Sequence, residues 1–158
     1  MIKQQLIKDI LGILQKEISG AISAAQQAHD GATHEQSKAE TQYDTLGLEH
    51  AYLAQGQSRR IDELVHAISL LENWKVASFT QDDEIYLGAL VTLLDIHSNQ
   101  VLHVFIAPSG GGVNIELDKI KYQVITAQTP LGQSLIGLTV GETVLLNSGQ
   151  QFEITHLM

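Results

Sequence analysis

Residues 39–71, AETQYDTLGLEHAYLAQGQSRRIDELVHAISLL, constrain this fold more than any other stretch. They contain no proline, and Ile61, Leu64, Val65, Ile68 and Leu71 recur at three- and four-residue steps. That spacing puts them on one face of an α-helix. Ala54, Ala51 and Tyr43 extend the stripe upstream. A helix of about 33 residues is roughly 50 Å long, wider than a small domain. It needs a partner along its length, and the segment just before it supplies one.

In that earlier segment Ile2, Leu6, Ile10, Ile13, Leu14, Ile18, Ala21 and Ala25 follow the same period. The side chains shrink from Ile and Leu to Ala, which lets two helices approach closely towards the far end. The sequence predicts a stop at His29-Asp30-Gly31, with Gly31 as the C-terminal cap. Ala32–Lys38 then reads as a polar connector, with Thr33 or Ser37 capping the second helix. Ser37 and Glu40 have capping-box spacing. The expectation is an antiparallel coiled-coil hairpin over 1–75 with its tip near 30–40.

Past Trp74 the helical period ends. Leu87–Leu94, Val101–Ile106, Val113–Leu117, Tyr122–Thr126, Val140–Leu146 and Gln151–His156 read as strands. His97-Ser98-Asn99 and Asn147-Ser148-Gly149 read as turns. Thr129-Pro130 opens a short helix that Gly137 closes. The second half, 80–158, is expected to be a small antiparallel sheet with one short helix, which makes the chain α+β.

Composition limits what such a chain can do. There is no cysteine, so disulfides, thiol catalysis and thiolate metal sites are excluded. The formal net charge of −9 opposes direct binding to a nucleic-acid duplex. The second half carries only Lys119 and Lys121 against eight acids. Contact with nucleic acid is therefore expected only through a protein partner. The first helix is broken by Lys8, Asp9, Lys16 and Glu17. It reads neither as a signal peptide nor as a membrane span, and the expected location is the cytoplasm.

The segment Thr129–Leu157 resembles the C-terminal signature of the Gre-type transcript cleavage factors of bacteria. The resemblance lies in Thr129-Pro130-Leu131, Ser134-Leu135-Ile136-Gly137, Val140-Gly141-Glu142 and Phe152-Glu153-Ile154, in that order. That family also has an N-terminal antiparallel coiled coil, which the periodicity predicts independently. The resemblance implies an FKBP-like C-terminal domain that docks on RNA polymerase at the secondary channel. It implies a coiled coil reaching down that channel, where tip carboxylates help hold a second Mg²⁺ for hydrolysis of backtracked RNA. Carboxylates suit Mg²⁺ as hard oxygen ligands, and two metals stabilise attacking and leaving oxygens. Such a chain is an accessory factor, not an enzyme by itself, and binds no cofactor alone.

The family's acidic tip motif, Asp-x-x-Glu, is not reproduced. One register puts His34 and Ser37 at the acidic pair; the other puts Glu40 and Tyr43 there. Asp30, Glu35, Glu40 and Asp44 nevertheless surround the tip. Glu35 and Glu40 bracket the polar turn and are the candidate catalytic carboxylates. With Asp44, one helical turn below Glu40, they are the candidate Mg²⁺ ligands, in complex with polymerase only. The alternatives are a Gre-fold inhibitor or regulator without cleavage activity, or a coiled-coil adaptor outside transcription.

Other motifs read more plainly. His29 and His34 match no zinc spacing. Pro108–Gly112 lacks the lysine and following helix of a phosphate loop and reads as a flexible connector. Arg59-Arg60 is a solvated helix face, or a contact to polymerase or RNA. Prolyl isomerase activity needs an aromatic pocket, and this half offers only Phe79, Tyr86, Phe105, Tyr122 and Phe152.

Overall fold

A computed structural model describes the backbone of residues 1–38 and 43–158, and the side chains of 1–27 and 58–158. Helix α1 runs over Ile2–Lys38 and α2 over Tyr43–Glu72. Six strands follow: β1 Leu90–Asp95, β2 Val101–Ile106, β3 Asn114–Leu117, β4 Ile120–Ile125, β5 Thr143–Leu145 and β6 Gln151–Leu157. Helix α3, Pro130–Leu135, lies between β4 and β5 in sequence.

The expected stop of the first helix at Gly31 is corrected. Helix α1 continues through Gly31 and through the whole predicted connector to Lys38. A glycine inside a helix costs only about 1 kcal/mol relative to alanine. Ala28, Ala32, Glu35, Gln36 and Lys38 are good helix formers around it. Neither Thr33 nor Ser37 therefore caps α2, which begins at Tyr43.

Contacts divide the chain into two compact units. Leu11–Ser69 is one; Met1–Ile10 with Leu70–Met158 is the other. The boundary read from sequence, between 75 and 80, falls inside the second of these.

In the helical unit, Leu14 is 5% and Leu64 2% exposed, and Ile61, Ile68 and Ala67 are half-buried. Ile61, Leu64, Ile68 and Leu71 follow the alternating three- and four-residue step of a coiled-coil seam. Val65, read from sequence as part of the stripe, is 51% exposed and flanks it. Arg60 bridges Glu17 on the other helix at 2.8 Å and its own neighbour Glu63 at 3.5 Å. Both ends of the cross-helix pair are about half exposed, so it contributes at most about 1 kcal/mol.

In the other unit the strand order is β3-β4-β2-β1-β6-β5. All neighbours are antiparallel except β2 and β4, which are parallel. The sheet is thus mixed, which corrects the all-antiparallel expectation. The physical reason lies in how the β3–β4 hairpin is placed: its second strand, not its first, lies beside β2. Asp118 and Lys119 both have positive φ, 51° and 68°, as the two-residue turns favoured by strand twist require. The hairpin places β3 at the sheet edge and returns β4 alongside β2.

One face of the sheet carries the core. Val91, Leu93, Val104, Ile106, Ile125, Phe152 and Ile154 pack there with Leu135 of α3 and with Ile85. On the other face the registers align Tyr122, His103, Thr92 and His156 in a row across β4, β2, β1 and β6. Further along this face Phe105 is fully buried, with its ring 5.8 Å from Trp74. The connecting segment is stitched to β6 by Gln81, which donates to the Leu157 carbonyl at 2.7 Å and accepts from its N–H at 3.3 Å.

Candidate functional site

The segment singled out by its letters, 129–157, is where local chemistry is densest. Thr129 caps α3: its Oγ1 accepts from the Gly132 N–H at 3.1 Å. The same hydroxyl donates to the Thr126 carbonyl at 2.8 Å. Pro130 sits in the first turn, where its missing N–H is not needed. Gly132 is required by space, since a Cβ there would collide with the Thr126 carbonyl oxygen. Pro130 is exposed, and Leu131 is half-buried against the core.

The far end of α3 is tied down as firmly. Gly137 takes φ +88° and donates to the Ile85 carbonyl at 2.8 Å. Ile85 donates in turn to Leu138 at 2.8 Å. The next turn is closed by Glu142, whose Oε2 accepts from the Thr139 N–H at 2.6 Å and its hydroxyl at 3.2 Å. Gly141 (φ +97°) donates to the Ile154 carbonyl at 2.8 Å. Glu142 is therefore committed to its own turn. The arrangement leaves Pro130 exposed at the start of α3 and holds no nucleophile with a base.

The carboxylates expected at the tip are placed as follows. Glu35 lies on α1, three residues before its end, and Asp44 lies on α2, one residue after its start. Their side chains, and Glu40 altogether, lie outside the described residues, as do the side chains of His29 and His34. Among the described residues no group of three or more histidines and acids is placed to hold a metal ion. Also among them, no helix is long and apolar enough to cross a membrane.

The aromatics offered for an isomerase pocket are dispersed. Phe152 is in the core on one face, while Phe105 meets Trp74 on the other. The Tyr122 and His103 rings meet at a tilt with centroids 5.5 Å apart, and Tyr86 is 65% exposed.

The glycine-rich connector is a packing device. Gly110 has φ +80°, and a Cβ there would fall 2.7 Å from Ile10 Cγ2. Gly112 (φ +92°) donates to Val124 and starts the ladder to β4. Sequence reasoning read this stretch as flexible because nothing local shows that Ile10, about a hundred residues earlier, needs the space.

Lys3 was also missed. It reads as part of the outer helix face, yet it is 8% exposed. Its ammonium donates to the Ala77 carbonyl at 2.8 Å and lies 4.8 Å from the Phe79 ring centre. The available signal was position: Lys3, Leu6, Ile10 and Leu14 share one helical stripe.

No family model matches this chain, and no curated protein does. Solved structures do. The GreA factor homologue Gfh1 of Thermus thermophilus is 22% identical over 94% of each chain, at a TM-score of 0.40. Gfh1 of Thermus aquaticus is 20% identical over 92% of each chain, also at 0.40. A GreA/GreB transcription elongation factor from Nitrosomonas europaea is 13% identical over 60% of this chain and 78% of that one, at 0.37.

Proposed function

We propose that this chain is a divergent Gre-like transcription elongation factor, an accessory protein that acts on bacterial RNA polymerase in the cytoplasm. Helices α1 and α2 form an antiparallel coiled-coil hairpin that enters the secondary channel. The sheet unit is FKBP-like and docks at the channel rim through the loop around Pro130. Nucleic acid is met only within the polymerase complex. The observation that carries this reading is the construction of 129–157. The residues that carry the resemblance shape this segment: Thr129 caps, Pro130 begins α3, Gly137 and Gly141 take positive φ, and Glu142 closes a turn.

At the tip, Glu35, Glu40 and Asp44 are proposed to hold a Mg²⁺ shared with the polymerase. Carboxylates are hard oxygen ligands and suit that ion. A cleavage assay on stalled, backtracked complexes tests this. Wild type is expected to stimulate cleavage, and Glu35→Ala with Glu40→Ala is expected to abolish it. Undiminished cleavage by the double variant removes both residues from the mechanism.

A second reading has its own support. In one register the family's acidic pair falls on His34 and Ser37, and both lie within α1. A chain without that pair occupies the channel without promoting cleavage. Polymerase binding with no cleavage by wild type selects this inhibitory or regulatory role.

A further inference from the structure

Lys3 is unlike the other lysines of α1 whose side chains are described. Lys8 and Lys16 are exposed, whereas Lys3 is 8% exposed. Among the described residues, no carboxylate lies within ion-pair distance of it. Its amine is held by one backbone carbonyl, Ala77, and lies 4.8 Å from the Phe79 ring centre. A recess of about 170 Å³ opens beside it, lined by Lys3 together with Val76, Ala77, Ser78 and Phe79, and by Met1 and Met158, which bring the α-amine and the terminal carboxylate to the same recess. That space holds several waters, and so a two-carbon group.

We propose that Lys3 is a covalent modification site, its amine the acceptor of small acyl groups from an activated donor of the acyl-phosphate class. A buried ammonium with no carboxylate within ion-pair distance sheds its proton more readily than an exposed one. Burial pushes this amine down to about 8 from an ordinary value of 10.5. The neutral Nζ attacks the acyl carbonyl carbon and forms the C–N bond. The C–O bond to phosphate breaks, phosphate leaves with the electron pair, and the amine proton passes to water. The Ala77 carbonyl and the Phe79 ring position the amine, and the recess receives the acyl group.

The product is a neutral amide. It loses the cation over the Phe79 ring, an attraction that depends on charge. Acylation thereby loosens the tie between the first turn of α1 and residues 76–79. This inference is independent of the polymerase reading.

The folded full-length chain is incubated with acetyl phosphate at pH 8, and site occupancy is read by peptide mass spectrometry. Lys3 is expected to be modified several-fold faster than Lys8 and Lys16, with its rate levelling off from about pH 8 while theirs is still climbing. Hydrogen exchange of the 76–79 amides is expected to rise in the acylated protein. Modification of Lys3 at or below the rate of Lys8 and Lys16 overturns the proposal. So does a Lys3 rate that follows the pH profile of the exposed lysines.

Discussion

Gly110 and Ile10 are in a contact that only a glycine permits: a methyl group at Gly110 would meet Ile10 Cγ2 at 2.7 Å. Ile10 is fully buried, so its methyl has nowhere to retreat. The backbone at Gly110 is also in the left-handed region, φ +80°. Gly110→Ala is therefore expected to destabilise the fold by about 2–4 kcal/mol, from overpacking plus backbone strain. Urea unfolding measures it. Pairing Gly110→Ala with Ile10→Ala, which deletes the obstructing methyl, is expected to cost less than the sum of the single changes. Strict additivity contradicts the contact.

Thr129 makes a similarly specific prediction at α3. Thr129→Ala loses the cap on Gly132 and the bond to Thr126, and is expected to cost about 1–2 kcal/mol. Thr129→Ser keeps the hydroxyl and is expected to recover most of that. Equal losses in the two variants show that the methyl, not the hydroxyl, matters.

What was legible in the sequence follows from how local the determinants are. The α3 cap, Thr129-Pro130, is a signal within four residues, and it reads correctly. Strand β2 matches its predicted bounds, because its apolar run has clear turns on both sides. The end of α1 did not read correctly, because Gly31 looks like a cap while its neighbours favour helix. The parallel β2–β4 pairing did not read either. It depends on which strand of the β3–β4 hairpin lies beside β2, which no local stretch shows. Lys3 and Gly110 depend on partners 74 and 100 positions away, which no window shows. The tip carboxylates, Glu35, Glu40 and Asp44, rest on acidity near a predicted turn, and their side chains lie outside the described residues.

His103 predicts a pH dependence. Its imidazole is held below its ordinary value by burial and, second, by the charge of His156 across β1; Thr92 Oγ1 lies 3.2 Å from its Nδ1. Below about pH 6.5 the unfolded chain binds this proton more readily than the folded one. Stability contributed by neutral His103 is thus present above that pH and declines as pH falls through the lowered folded value. Urea midpoints from pH 7.5 down to 5 are expected to fall for wild type. The fall is expected to be shallower for His103→Gln, and unchanged slopes contradict the assignment.

The central claim is binding to RNA polymerase through the loop around Pro130, and co-elution with purified bacterial core polymerase tests it most directly. The account predicts that the wild-type chain co-elutes with polymerase. It also predicts that Pro130→Ala, a change at the exposed first residue of α3, remains folded but binds more weakly. Absence of the wild-type chain from the polymerase fraction, under conditions that retain an established Gre factor, contradicts the account.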